Sequence, residues 1–319
     1  MNVESLTFQD YSSVQPETLV IYERPDFNLL NAAKSEQVQY LVLCDEGRRR
    51  FGLVAGVQDG MLKVPFSAPF SFISSFRKNN KVDSYQAAVA ALLAYAREDS
   101  SIRQIRFTLP PTLYGENDVS PLANALFANG FHVEQIDLNY HYNLDQFDDN
   151  YAQSIDIKAR QKLRASLNAG LSFEKVADEA GVAEAYAVIK DNRSAKGYPL
   201  RLSLEEVRRT VGIIPADFFI VRDPLKPVAA AMVYHVAAGV VQVIYWGNVA
   251  GSDHLKPMNF LSFKVFEYYH TCGCRIVDIG PATESSQPNV GLCDFKQGIG
   301  CVTTLKLTLC HSVVCNPAT

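Results

Sequence analysis

The chain alternates between apolar runs spaced like strands and apolar stripes spaced like helices. Val38–Cys44 and Phe51–Val57 are apolar runs of strand length flanking the turn Glu46-Gly47-Arg48-Arg49-Arg50, which predicts an antiparallel hairpin that Met61–Val64 extends. A helix follows over Ser84–Arg97, capped by Ser84, with Ala88, Ala91, Leu92 and Tyr95 on one face. Arg103–Leu109 reads as a strand stopped by Pro110-Pro111, and Ser120–Asn129 as a helix with Ser120 as cap and Pro121 in its first position. Ile136, Leu138, Tyr140, Tyr142 and Leu144 then alternate strictly with polar residues, the pattern of a half-buried strand.

Acidic, irregular sequence at Asp145–Tyr151 marks a boundary, dividing the chain into residues 1–147 and 148–319. Beyond it the pattern predicts a basic helix over Ile157–Ala169, a strand at Leu171–Val176, and helices at Glu179–Ser194 and Ser203–Gly212. Three strands come next, Phe218–Arg222, Val228–Val236 and Val240–Trp246. A helix over Met258–Thr271 entered through Pro257, a strand at Arg275–Ile279 and a last strand within Thr303–Val314 complete the pass. The same loose element order appears twice, so the pattern implies a duplicated α+β domain with a mixed sheet flanked by helices.

Composition narrows the function classes. The chain has 319 residues, 48% of them hydrophobic and 20% charged, with a formal net charge of −4. This is enough for a core in each of two domains and excludes an intrinsically disordered chain. The acidic balance argues against a surface built throughout to coat nucleic acid, so any polyanion site would be local. Met1–Gln15 has no basic start followed by an apolar run, and nowhere do eighteen apolar residues run uninterrupted; a cytoplasmic protein without a membrane span is expected. Seven cysteines form an odd set lacking paired C-x2-C spacing, which fits reduced thiols acting as small apolar fillers better than a disulfide scaffold or a zinc site.

Three segments could carry chemistry. Lys158-Ala159-Arg160-Gln161-Lys162-Leu163-Arg164 places Arg160 and Arg164 on one helical face, either a solvated surface or a clamp for phosphate or carboxylate groups. Tyr245-Trp246-Gly247-Asn248, containing the single tryptophan, ends an apolar strand and leads through a polar loop with His254 to a helix N-terminus. Free N–H groups and the helix dipole favour an anion there, although Trp246 could equally be a core anchor. The third runs from Asp278-Ile279-Gly280-Pro281 through Glu284 and Asn289 to Asp294-Phe295-Lys296-Gln297-Gly298-Ile299-Gly300, where Asp278 could also be a strand-end cap. No Walker-type phosphate loop, Gly-x-Ser-x-Gly elbow or His-Glu-x-x-His pair is present, and none of the six histidines is paired in sequence with a nucleophile.

Taken in order, these C-terminal motifs resemble a known family. Arg160–Gly170 (RQKLRASLNAG), Gly273–Gly280 (GCRIVDIG) and Gly291–Gly300 (GLCDFKQGIG) are similar to the basic helix, the central strand and the Phe-Lys-Gly element of FemABX-like members of the GNAT acyltransferase superfamily. Pro65–Phe70 (PFSAPF) looks like a loop such proteins carry in their first domain. The resemblance implies two GNAT-like domains and transfer of an acyl group to an amine, from acyl-CoA such as acetyl-CoA or from aminoacyl-tRNA, with no metal. The acceptor would be a small-molecule or peptide amine, and tRNA a possible partner. Tyr245, Trp246 and Asn248 would then form the donor wall and Asn259 a polar entry to the central helix. Lys296 and Arg164 would be counter-charges for phosphate or carboxylate, with Glu284 the preferred base and His254 the second. Gly251–Asn259 (GSDHLKPMN) lacks the glycine-rich pyrophosphate loop of acetyl-CoA users, which leaves the donor open and keeps a non-catalytic binding module as the alternative.

Overall fold

The computed structural model describes residues 1–14 and 16–313. The chain runs through β1 (Asn2–Leu6), α1 (Phe8–Val14), α2 (Pro25–Leu30), β2 (Gln37–Asp45), β3 (Arg48–Gln58), β4 (Met61–Val64) and β5 (Ser74–Ser75). It continues through α3 (Val82–Glu98), β6 (Gln104–Thr108), α4 (Glu116–Ala128) and β7 (His132–Asn143). Then come α5 (Tyr151–Ser154), α6 (Ile157–Leu167), β8 (Ser172–Val176), α7 (Glu179–Lys196), α8 (Leu204–Val211), β9 (Ala216–Arg222), β10 (Pro227–Ala237) and β11 (Val240–Asn248). The last elements are α9 (Pro257–Thr271), β12 (Ile276–Pro281), the hairpin β13 (Thr283–Glu284) and β14 (Gln287–Pro288), α10 (Val290–Gly298) and β15 (Val302–Ser312).

Two compact units result: residues 1–137 with the described residues from Leu305 onward, and Leu138–Thr304. In the first, β1, β2, β3 and β4 pair antiparallel in order, β6 adds parallel to β4, and the C-terminal part of β15 pairs antiparallel to β6. In the second, β8, β9, β10 and β11 pair antiparallel, β12 adds parallel to β11, and β7 pairs antiparallel to β12. The connectivity is therefore duplicated, strand–helix–helix–meander–helix–strand–helix, and each sheet receives its final strand from chain that has just left the other unit. Parallel neighbours need a long crossover, which α3 and α9 supply. The division falls inside β7, where the expectation from sequence was residues 147/148. The acidic segment does not act as a linker because Leu144, Phe147 and Tyr151 are buried in the core of the second unit.

Leu41, Leu53, Leu62 and Phe107 pack with Leu92 of α3 and Leu126 of α4 in the first unit. Tyr142, Val233, Val241 and Val277 pack with Phe260 and Phe266 of α9 in the second, and Tyr142 stacks on Phe266 at 4.4 Å.

Two helix starts differ from expectation. α3 begins at Val82, so Ser84 lies within its first turn, and Lys81 is a cap that makes no side-chain bond. α4 begins at Glu116 with Pro121 inside it. Pro121 has no N–H to give to the carbonyl four residues earlier, that of exposed Asn117, where water has access. The expected last strand includes Val314, which lies outside the described residues, as does Cys315; the other six cysteines are free thiols. Among the described residues no helix is long and apolar enough to cross a membrane.

Candidate active site

In the second unit, β11 and β12 are hydrogen-bonded only over Val240↔Ile276, Val241↔Val277 and Gln242↔Asp278. Beyond this point the strands part, and β11 continues to Asn248 paired with β10 alone. Its register on β10 jumps from Met232↔Tyr245 to Val233↔Val243, so Ile244 is an extra, bulged residue. A bulge bends its strand and raises local twist, which turns β11 away from β12. Alternate backbone groups of β11 past Gln242 are thus left without a strand partner on the β12 side. Because β11, α9 and β12 form a crossover unit, this opening lies at the carboxyl ends of two parallel strands, beside the start of α9, where α/β folds bind ligands.

Both walls are braced by buried polar bonds. Asn192 of α7 donates from Nδ2 to the carbonyl of Asn248 at 2.7 Å, and a Cβ on Gly247 would come within 2.4 Å of the Asn192 side chain. Asn248 Nδ2 donates to Asp253 Oδ1 at 2.9 Å and to Ser252 Oγ at 3.3 Å, fixing the loop that leads to α9. On the other wall, Lys296 is 2% exposed and its ammonium donates to the carbonyls of Ile279 and Gly280 at 2.8 Å and of Pro281 at 3.0 Å. Burial draws its pKa down to about 8, with Asp278 opposing, so it keeps its proton at neutral pH. Asp278, fully buried, accepts from Asn139 Nδ2 at 2.8 Å, Gln242 Nε2 at 2.9 Å and the Gly280 N–H at 2.9 Å.

Several expected residues stand at this opening. The half-buried Tyr245 ring lies under the Arg193 guanidinium at 4.8 Å and its hydroxyl accepts the Arg201 N–H at 3.3 Å. Trp246 meets Phe295 of α10 edge to face at 6.3 Å, so it joins the wall to the core. Asn259 is buried in the first turn of α9, where its carbonyl accepts from Ser262 Oγ at 3.2 Å.

For others the geometry differs from the expected role. All three Lys296 donors are committed to backbone carbonyls, so as placed it is a clamp on the end of β12 rather than a free counter-charge. Arg164 is exposed on α6, while Arg160 donates to the carbonyls of Gln153 at 2.7 Å and Ile155 at 3.3 Å; the shared helical face does not work as a clamp. Glu284 is exposed on the β13–β14 hairpin, and His254 is exposed with Nδ1 3.0 Å from the Gly251 carbonyl.

Asn192, Arg193, Gln242, Asn139 and His141 were not singled out by the sequence. Their signal was polar side chains inside apolar strands or at the polar end of α7, which only burial distinguishes from surface positions. Arg193 also lies over the Tyr198 ring at 5.8 Å, and among the described residues no carboxylate pairs with it.

Solved structures of similar fold cover nearly the whole chain. The FemX crystal structure superposes with a TM-score of 0.67 at 12% identity, covering 98% of this chain and 97% of that one. This is the FemABX-like tandem GNAT fold. L-PGS from Bacillus licheniformis shares the FemABX-like fold at TM-score 0.60 and 12% identity, covering 95% of this chain and 90% of that one. A tandem GNAT protein from the clavulanic acid biosynthesis pathway gives 0.54 at 11% identity, covering 100% and 99%. No family model matches the chain, and no curated protein sequence does.

Proposed function

We propose that the second unit is an acyltransferase that moves an acyl or aminoacyl group to an amine, from an acyl-CoA or an aminoacyl-tRNA donor. The observation that carries this reading is the parting of β11 and β12 after Gln242↔Asp278, with Ile244 bulged on the open side. An extended donor arm fits between such strands, and N–H groups on the open edge of β11 could receive the oxygen that becomes negative when an amine adds to the carbonyl. The first unit has no counterpart, because β4 stops at Val64, where its parallel pairing with β6 ends. Tyr245, Trp246 and Asn248 would line the donor, and Arg193 is better placed than Lys296 to meet a donor phosphate. The acceptor would be a small-molecule or peptide amine.

The alternative, a binding module that keeps the fold without catalysis, draws on one feature: Asp253 occupies the loop before α9, where acetyl-CoA users present glycines. Thermal-shift titration with acetyl-CoA, longer acyl-CoAs and charged tRNA tests both, since a ligand bound only by the folded state raises its apparent stability. Mass spectrometry of an amine acceptor incubated with the stabilising donor then separates them. A shift with no transfer product supports the binding module, and no shift with any donor counts against the acyl-transfer reading.

A further inference from the structure

The second unit contains four imidazoles. His235 Nε2 is 2.7 Å from Asp217 Oδ2, His254 Nδ1 is 3.0 Å from the Gly251 carbonyl, and His270 Nδ1 is 3.1 Å from the Leu144 carbonyl. His141 alone makes no ring hydrogen bond among the described residues: its Nδ1 is sealed from solvent and has no partner, although the residue is only 9% exposed. A buried polar atom left unpaired is costly, and where one persists it calls for a functional or solvent explanation.

Its position is informative. Gln242, Asp278 and His141 are register partners across β11, β12 and β7, at the last rung before β11 and β12 part. Side chains of directly opposed residues share a face. The adjacent rung of Val241, Val277 and Tyr142 points into the hydrophobic core, so the Gln242–Asp278–His141 row points to the other face. Asp278 is held there by three donors, which fixes a carboxylate beside the imidazole. Burial lowers the His141 pKa, with the Asp278 charge opposing, so the ring is neutral near pH 7 and able to accept a proton. Glu284 and His254 stand exposed, outside this row.

We propose that His141 is the general base of the site. This rests on the acyl-transfer reading above. The amine nitrogen lone pair attacks the acyl carbonyl carbon, and the C–S bond of a thioester or the C–O bond of an aminoacyl ester breaks. The N–H proton passes to the neutral imidazole, and the departing sulfur or oxygen takes up a proton.

The test uses the full chain, acetyl-CoA and alanyl-tRNA as donors, and a lysine-containing peptide, free lysine and ethanolamine as acceptors. Wild type is expected to transfer from one of the donors, and His141→Gln to lower kcat by about a hundredfold or more while leaving the donor KM nearly unchanged. Added imidazole should restore part of the activity of His141→Ala; should that variant not fold, the kcat of His141→Gln decides. An active wild type whose His141→Gln variant keeps its kcat overturns the role of His141 alone. A wild type that transfers from neither donor to any of these amines overturns the acyl-transfer reading, and the base with it.

Discussion

Asn192 on α7 and Asn248 at the end of β11 are joined by a 2.7 Å hydrogen bond from side-chain amide to backbone carbonyl, both residues being buried. The bond ties a helix to the strand end that forms one wall of the opening. Asn192→Ala would leave that carbonyl unpaired, and we expect a loss of about 1–3 kcal/mol in urea unfolding. Gly247→Ala should cost a similar amount, because its Cβ would collide with the Asn192 side chain. In both variants donor affinity, read by thermal shift, should fall with stability. A fall in neither would show that this wall is not braced by α7.

Lys296 offers a contrast between clamp and counter-charge. Lys296→Met keeps the apolar stem but leaves the carbonyls of Ile279, Gly280 and Pro281 without their donor. The expected outcome is a destabilisation of at least about 3 kcal/mol, measured by chemical denaturation without any ligand. A fully stable variant that has lost only donor affinity would restore the counter-charge role.

Glu23 in the first unit is 2% exposed and accepts from the Leu19 N–H at 3.0 Å, the Val20 N–H at 2.8 Å and Ser74 Oγ at 2.9 Å. Burial outweighs these bonds and raises its pKa from 4.5 to about 7. The folded state thus holds the proton more tightly than the unfolded chain, so the contribution to stability is full below pH 4.5 and is lost as pH rises to about 7. Glu23→Gln should remove this slope. The stability difference between wild type and variant should change by on the order of 3 kcal/mol between those limits. A flat difference curve would refute it.

Asp217 has the opposite sign. Burial alone would raise its pKa, but bonds from His235 at 2.7 Å, Lys175 at 2.6 Å and Tyr269 at 2.8 Å hold it well below the usual carboxylate range. Its contribution is present above the unfolded pKa and lost as pH falls towards the folded one. Asp217→Asn should therefore be less stable than wild type at pH 7 and begin acid unfolding, followed by circular dichroism, at higher pH, with the stability difference shrinking as pH falls; a difference that stays constant down the acid limb would refute it.

The longer strands and helices from β2 onward and the repeated element order were legible in the sequence, whereas β1, α1 and α2 were not. Period-two alternation and three- to four-residue stripes record which side of an element is apolar, and that is a local property. Tyr245, Trp246 and Asn248 were recognisable because they end an apolar strand before a polar loop.

Three other features were decided by tertiary structure. Alternation along β7 marked Tyr140 and Tyr142 as core, yet could not show that Asn139 and His141 on the opposite face are buried as well. The motif containing Lys296 was visible, but its ammonium was assigned to a ligand because the carbonyls that consume its donors lie fifteen to seventeen residues earlier in the chain. Nor could any local pattern reveal that β7 and β15 each complete a sheet begun by distant chain. Hydrophobic periodicity fixes the faces of an element, whereas its strand partners and the neighbours of its polar groups depend on pairings between segments far apart in sequence.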